Sequence, residues 1–276
     1  MIKLIASDLD NTALYNGRLS EENRGAIQRA LDNNLEFVVV TGRGLSAVTD
    51  EFYNLQGFTY AVTSNGASIT NVRTGERIGH FTLDGQTVCK LLDIGKQAGA
   101  AFEIFVEGRG HVSREYYENP LPYGMPERLI PYIRFSRSPV EDIEKYISEN
   151  FEQIENFVFV VKDADMHRQV AEKVRAQCPD TFVVDCDSQW VEVMSKSCSK
   201  GNGLRLLCES IGIDRTEVAA LGDGDNDIEM LEFAGLAIAM GNASDRLKGT
   251  ARYVTADVRD NGLAQAVNLI SEGKLV

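Results

Sequence analysis

Ile2-Lys3-Leu4-Ile5-Ala6-Ser7-Asp8-Leu9-Asp10-Asn11-Thr12 is a hydrophobic run that ends in two aspartates one residue apart. The run reads as a buried parallel strand, and charged groups do not belong inside one. They fit just past its carboxyl end, where open α/β sheets place their ligand crevice. Two carboxylates held this close repel unless a cation neutralises them or one keeps its proton. Mg²⁺ is the hard, oxygen-seeking cation suited to such a pair. The competing reading is a solvated turn with Asn11 and Thr12 as turn formers, so the rest of the chain has to decide.

Outward from this run, strand and helix alternate. Ser20 reads as an N-cap with Glu21 and Glu22 in the first turn, and Ile27, Ala30 and Leu31 follow at helical spacing. Residues 35–40 form a β-branched run too short for a helix and end in Thr41-Gly42-Arg43. A helical segment through Val48, Phe52 and Leu55 follows, then a short strand at 60–63 ending in Ser64-Asn65-Gly66-Ala67. Two alternating stretches, 68–72 and 77–81, flank Thr74-Gly75 as a hairpin. The order predicts a parallel sheet with right-handed crossovers.

The middle differs in texture, and all six prolines fall between positions 120 and 179. Asp84 reads as the cap of a helix to about Ala98 that Gly99 ends, and 101–106 as a strand. Ser138-Pro139 reads as the start of a helix ending near Asn150. Strands near 157–161 and 182–184 flank a helix over 165–177. From Trp190 the doubly wound pattern resumes. Ser199-Lys200-Gly201 opens a helix that Gly212 closes, and residues 218–221 lead into Gly222-Asp223-Gly224-Asp225-Asn226-Asp227. Residues 236–240 lead into Gly241-Asn242-Ala243, and a terminal helix covers 262–271. The expected class is α/β: a doubly wound parallel, Rossmann-like core sheet from residues 1–83 and 189–276, with an α+β cap inserted at 84–188.

Composition narrows the function. The chain has 276 residues and a formal net charge of −13, which argues against nucleic acid or an anionic membrane surface as partner. No stretch approaches the roughly 18 uncharged apolar residues of a membrane span. Five cysteines, with no C-x-x-C pair and no visible leader, point to reduced thiols in the cytoplasm. A monomer or small homo-oligomer is expected. The three histidines, His80, His111 and His167, lie outside every strand-end loop, which argues against a phosphohistidine mechanism.

Four of the predicted strands end in polar, glycine-marked loops, and a parallel sheet brings such ends to one edge. That edge would collect Asp8, Asp10, Thr12, Thr41, Asn65, Asp223, Asn226 and Asp227, with Lys200 within reach. The set has the parts for phosphoryl transfer: carboxylates for Mg²⁺, a nucleophile, donors for phosphate oxygens and one lysine for their charge.

In this order, Asp8-Leu9-Asp10-Asn11-Thr12, Thr41-Gly42-Arg43, Lys200-Gly201 and Gly222-Asp223 with Asn226-Asp227 resemble the motifs of the haloacid dehalogenase-like hydrolase superfamily. Ser64-Asn65-Gly66-Ala67 and the inserted cap resemble its Cof-like branch with a type IIB cap. Asn11 stands where the family usually has glycine, and Ala13 where a larger apolar residue is common. Asn tolerates left-handed backbone, so the geometry is expected to survive. The resemblance implies a phosphatase for a small phosphorylated metabolite, such as a sugar phosphate or phosphorylated cofactor. It implies Asp8 as nucleophile, forming an aspartyl-phosphate, and a protonated Asp10 as general acid and base beside an ionised Asp8. Thr41 and Lys200 would bind the phosphoryl group, with Thr12, Gly42, Arg43, Asn65 and Asn226 as further substrate contacts. Mg²⁺ would be held by the Asp8 carboxylate, the Asp10 carbonyl and Asp223, supported by Asn226 or Asp227. The cap would meet the leaving alcohol, with Arg109, His111, Arg114, Tyr116, Tyr117, Tyr123 and Arg134 as candidates. A phosphomutase shares this chemistry. A receiver-type signalling domain would be about half as long and lack a cap, and a non-catalytic binding protein would lack Asp8 or Asp10.

Overall fold

The structure is a computed structural model that describes residues 1–187 and 189–275; the side chains at 185–187, that of Cys186 included, lie outside the description. The chain divides into two compact units, Met1–Arg43, Val48–His80 and Ser199–Val276 in the first, and Gly44–Ala47 with Phe81–Cys198 in the second.

The first unit is built on an eight-stranded sheet in the order Tyr253–Val254, Leu236–Ala239, Val218–Gly222, Leu4–Ser7, Glu36–Val40, Tyr60–Thr63, Ser68–Asn71, Arg77–His80. The first six are parallel, and the last two join by antiparallel pairing, Ser68–Asn71 with Tyr60–Thr63 and Arg77–His80 with Ser68–Asn71. The parallel strands are apolar nearly throughout because both faces are covered: Leu4, Ile5, Ala6, Phe37, Val38, Val39 and Val40 are fully buried. The strand Leu4–Ser7 lies between Val218–Gly222 and Glu36–Val40, and the order of the strands runs outward from it on both sides. Its carboxyl end is therefore the topological switch point of the sheet.

Helix ends follow the expected chemistry. Ser20 accepts from the Asn23 N–H at the start of Glu21–Asp32, and Ser199 accepts from the Asn202 N–H at the start of Lys200–Ile211, which ends at Gly212 in the left-handed conformation. The terminal helix is Gly262–Ser271.

In the second unit a six-stranded sheet runs in the order Arg137–Val140, Arg109–Ser113, Ala101–Val106, Ile154–Val160, Trp190–Ser195, Thr181–Asp187. Helices Gly85–Ala98, Ile143–Asn150 and Ala164–Gln177 pack on one face through Leu91, Ile94, Ile147, Val170 and Val174 against Phe102, Ile104, Phe157 and Phe159.

Several expectations are corrected. Trp190–Ser195 does not return to the first sheet but pairs antiparallel with Ile154–Val160 and Thr181–Asp187, so the second unit extends to Cys198. Its alternation, with Val191 and Val193 buried around a less buried Glu192, is that of an antiparallel strand rather than a parallel one. Pro139 starts no helix: it lies in Arg137–Val140, at the sheet edge, where a missing N–H is tolerated. The following helix is capped by Asp142 instead. The helical segment through Val48 and Phe52 is one turn, Asp50–Tyr53, though Val48, Phe52 and Leu55 are buried as their spacing required. A small hairpin, Leu14–Tyr15 with Arg18–Leu19, turns through Asn16 and Gly17, both at positive φ. It is too short to show as a period in the sequence.

Candidate active site

Asp8 follows directly on the strand Leu4–Ser7, its N–H donating to the Leu221 carbonyl at 3.0 Å. The loop beyond it folds tightly: the Leu9 carbonyl accepts from the N–H groups of Thr12, Ala13 and Leu14. Asn11 sits at φ 58°, in the left-handed backbone region that asparagine tolerates.

Lys200 reaches the same point from a different direction. It is the first residue of the helix Lys200–Ile211 and is 2% exposed. Glycines hold that helix start against its neighbours. A Cβ on Gly66 (φ 95°) would lie 2.0 Å from the Ser199 carbonyl oxygen, and one on Gly201 would lie 2.6 Å from that of Glu229. Lys200 Nζ lies 2.6 Å from Asp8 Oδ1 and 2.6 Å from Asp227 Oδ1. Asp227 Oδ2 accepts from the N–H groups of Asp223 and Gly224, both at 3.0 Å, which closes the loop after Val218–Gly222. Thr12 Oγ1 donates to Asp223 Oδ1 at 3.2 Å.

Asp8, Asp223 and Asp227 each present a carboxylate oxygen within 4.8 Å of the others. Three carboxylates face one ammonium, an excess of two negative charges that one divalent cation would neutralise. The donor set is all oxygen, the chemistry of a hard cation. Burial would depress the Lys200 ammonium, but Asp227 and Asp8 together hold it above the ordinary lysine range. Burial pushes Asp8 up to about 8, with Asp227 and Asp223 adding to the effect against the opposing pull of Lys200. Burial and Asp227 likewise raise Asp223 to about 6. Lys200 opposes this rise without cancelling it, and a further positive charge beside Asp8 would act in the same direction.

The other predicted residues lie around this cluster in the same unit. Thr41 is buried at the end of Glu36–Val40, and its Oγ1 accepts from the Arg43 N–H at 3.1 Å. Asn65 is buried at φ 52°; its N–H donates to the Thr41 carbonyl at 2.9 Å, and a Cβ on Gly42 would come 3.1 Å from its side-chain oxygen. Asn226 Nδ2 donates to Asn65 Oδ1 at 3.2 Å, which ties the loop after Val218–Gly222 to the one after Tyr60–Thr63. The Asp10 carboxylate also lies outside that cluster, paired with Arg43.

Asn242 was given no role by its sequence. Its Nδ2 donates to the Asn11 carbonyl at 2.9 Å and its Oδ1 accepts from the Val258 N–H at 2.8 Å, tying the Asp8–Thr12 loop to a neighbouring turn. Its place after the strand Leu236–Ala239, in another glycine-marked strand end, was the signal.

Within the second unit most of the cap candidates have partners in that unit. Tyr116 OH donates to Glu103 Oε1 at 2.9 Å, Tyr117 OH to the Arg134 carbonyl at 3.1 Å, and Arg114 pairs with Glu141 at 2.6 Å. His111 stacks on Tyr146 at 4.4 Å, and Tyr123 meets the Tyr116 ring edge-on at 5.4 Å. Arg109 is exposed. Glu103, fully buried, is also bound by Arg137 at 2.8 Å and Trp190 Nε1 at 3.1 Å. Among the described residues no helix is long and apolar enough to cross a membrane.

A family model described as haloacid dehalogenase-like hydrolase matches residues 5–267. Phosphatase YwpJ of Bacillus subtilis is 30% identical over 280 residues, covering 95% of this chain and 98% of its own. The 5-amino-6-(5-phospho-D-ribitylamino)uracil phosphatase YcsE of the same organism is 30% identical over 269 residues, covering 96% and 94%. Among solved structures, BT1666 of Bacteroides thetaiotaomicron, described among phosphatases of the same superfamily, superposes with a TM-score of 0.79 at 26% identity, covering 97% of this chain and 94% of that one.

Proposed function

Because this chain belongs to the haloacid dehalogenase-like hydrolases, in the Cof-like branch its motifs indicated, we propose that the cluster behind Leu4–Ser7 is the centre of a Mg²⁺-dependent phosphatase for a small phosphorylated metabolite. The chain is a phosphoric monoester hydrolase. The observation that carries the assignment of the centre is the buried convergence of Asp8, Asp223, Asp227 and Lys200.

Asp8 is the nucleophile. One carboxylate oxygen attacks phosphorus, the bond to the leaving oxygen breaks, and an aspartyl-phosphate forms. Water then attacks that phosphorus, releasing inorganic phosphate and regenerating the carboxylate. Asp10, two residues on, gives a proton to the leaving oxygen and takes one from the attacking water. Lys200 keeps its proton between Asp8 and Asp227 and offsets the charge of the phosphoryl oxygens, and Thr41 offers a hydroxyl to them. Asn65 and Gly42 shape the wall beside Thr41.

Mg²⁺, held by Asp8 and Asp223 with Asp227 in support, would supply the positive charge that keeps Asp8 ionised. Asp227 also fixes the loop that carries Asp223, and Thr12 orients the Asp223 carboxylate. Asn226, hydrogen-bonded to Asn65, would support the metal or contact the substrate from the same loop.

Relatives with whole-length similarity include one named for a phosphorylated ribityl-aminouracil, a small phosphometabolite, and a substrate of that size class is part of the proposal. So are a cytoplasmic location and a monomer or small homo-oligomer. A phosphate-release screen over phosphometabolites, with and without Mg²⁺ and beside Asp8→Asn, tests the reading. Hydrolysis that survives Asp8→Asn, or exhaustive chelation, contradicts it.

A further inference from the structure

We propose that Arg43 is a positioning residue for Asp10 and not a ligand of the transferring phosphoryl group; this rests on the reading of Asp10 as acid and base. The guanidinium meets Asp10 in a two-pronged contact, Nε to Oδ2 at 2.8 Å and Nη2 to Oδ1 at 2.6 Å. The two partners are unequally buried, the Arg43 side chain being 13% exposed and that of Asp10 53%. Arg43 is the anchored member. Its N–H donates to Thr41 Oγ1 at 3.1 Å, and its carbonyl accepts from the Ser64 N–H at 2.8 Å.

The backbone around Asp10 is already fixed by the bonds to the Leu9 carbonyl and by that from Asn11 N–H to the Leu14 carbonyl at 2.9 Å. What remains free is the side chain. A half-exposed carboxylate samples several staggered rotamers, and a planar fork that binds both oxygens selects one. The Asp8 cluster has its own cation in Lys200, whereas Asp10 has Arg43. The two aspartates of the first loop are thus held by different cations from different loops.

A residue that fixes the acid and base affects the steps that need a proton moved, not the affinity for phosphate. Arg43→Ala should lower kcat/KM about 10- to 100-fold on an alkyl phosphate, whose leaving oxygen needs a proton. The loss should be several-fold smaller on p-nitrophenyl phosphate, whose leaving group needs little. The inhibition constant of inorganic phosphate should stay within about twofold. Arg43→Lys keeps the charge without the fork and should recover only part of the loss; it also carries the test if the alanine variant folds poorly. Adding Arg43→Ala to Asp10→Asn should cost little more than Asp10→Asn alone, as for residues acting as a unit.

A phosphate inhibition constant raised tenfold, or losses that multiply in the double variant, overturns the positioning role. An unmodified protein inactive on every phosphomonoester overturns the phosphatase reading and the inference with it. Activity in the unmodified protein with no leaving-group contrast in the variants overturns the inference alone.

Discussion

Lys200 Nζ sits 2.6 Å from Asp8 Oδ1 although 192 residues separate the two in the chain. The contact exists because the strand Leu4–Ser7 and the helix Lys200–Ile211 meet at one edge of a parallel sheet, with both side chains nearly excluded from solvent. It leaves the cluster short of positive charge, since Asp223 and Asp227 share the same space.

Removing the ammonium should be costly for the fold. Lys200→Ala leaves Asp8 and Asp227 without their shared partner, and breaking a buried pair from one side costs about 3–5 kcal/mol. Urea unfolding of metal-free protein at pH 8 should show a loss of that order, and added Mg²⁺ should restore part of it. An unchanged midpoint would contradict the role of Lys200 as their shared partner.

The same charge excess sets a pH dependence. Asp8, raised to about 8, and Asp223, raised to about 6, bind protons more tightly in the folded chain than in the unfolded one, where both sit near 3.8. Their contribution to stability is therefore full below about pH 4 and is lost as pH rises, through about 6 for Asp223 and about 8 for Asp8. Thermal unfolding of metal-free protein should show this decline in the wild type and less of it in Asp8→Asn. The stabilisation by Mg²⁺ should be larger at pH 8 than at pH 5, because binding releases protons. A Mg²⁺ effect that is greater at pH 5 would contradict the assignment.

Gly66 tests how the lysine is placed. An added Cβ would come 2.0 Å from the Ser199 carbonyl oxygen at a φ of 95°. Gly66→Ala should cost about 1–3 kcal/mol and lower kcat as well, because Ser199 caps the helix that begins at Lys200. Gly249, inside the helix Asp245–Thr250 with nothing within 4 Å of its added Cβ, is the control. Gly249→Ala should stabilise by about 0.4–1 kcal/mol and leave kcat unchanged.

Much of the core unit was legible because parallel strands announce themselves twice, by a short apolar run and by the polar loop after it. Those loops singled out Asp8, Thr41, Asn65 and Asp223 as candidates, and a capped helix start singled out Lys200. Asn11 behaved as its side chain allows, taking the left-handed backbone at φ 58°. Pairings between side chains were not legible. That Arg43 would grip Asp10, or that Asn226 would spend its amide on Asn65, depends on loop conformations no spacing encodes. The second unit was harder for the same reason. Glu103 is a charge inside a buried strand, and its partners Arg137 and Trp190 lie 34 and 87 positions away. Pro139 misled because a proline after serine marks a helix start and an edge strand alike.

Asp8, as proposed, carries the phosphoryl group between substrate and water. The direct measurement is to quench a turnover in acid, reduce the protein with borohydride, and locate the modified residue by peptide mass spectrometry. Reduction of an aspartyl-phosphate leaves homoserine, expected at position 8 after turnover and absent without substrate. Turnover with position 8 unmodified and another residue phosphorylated would contradict it.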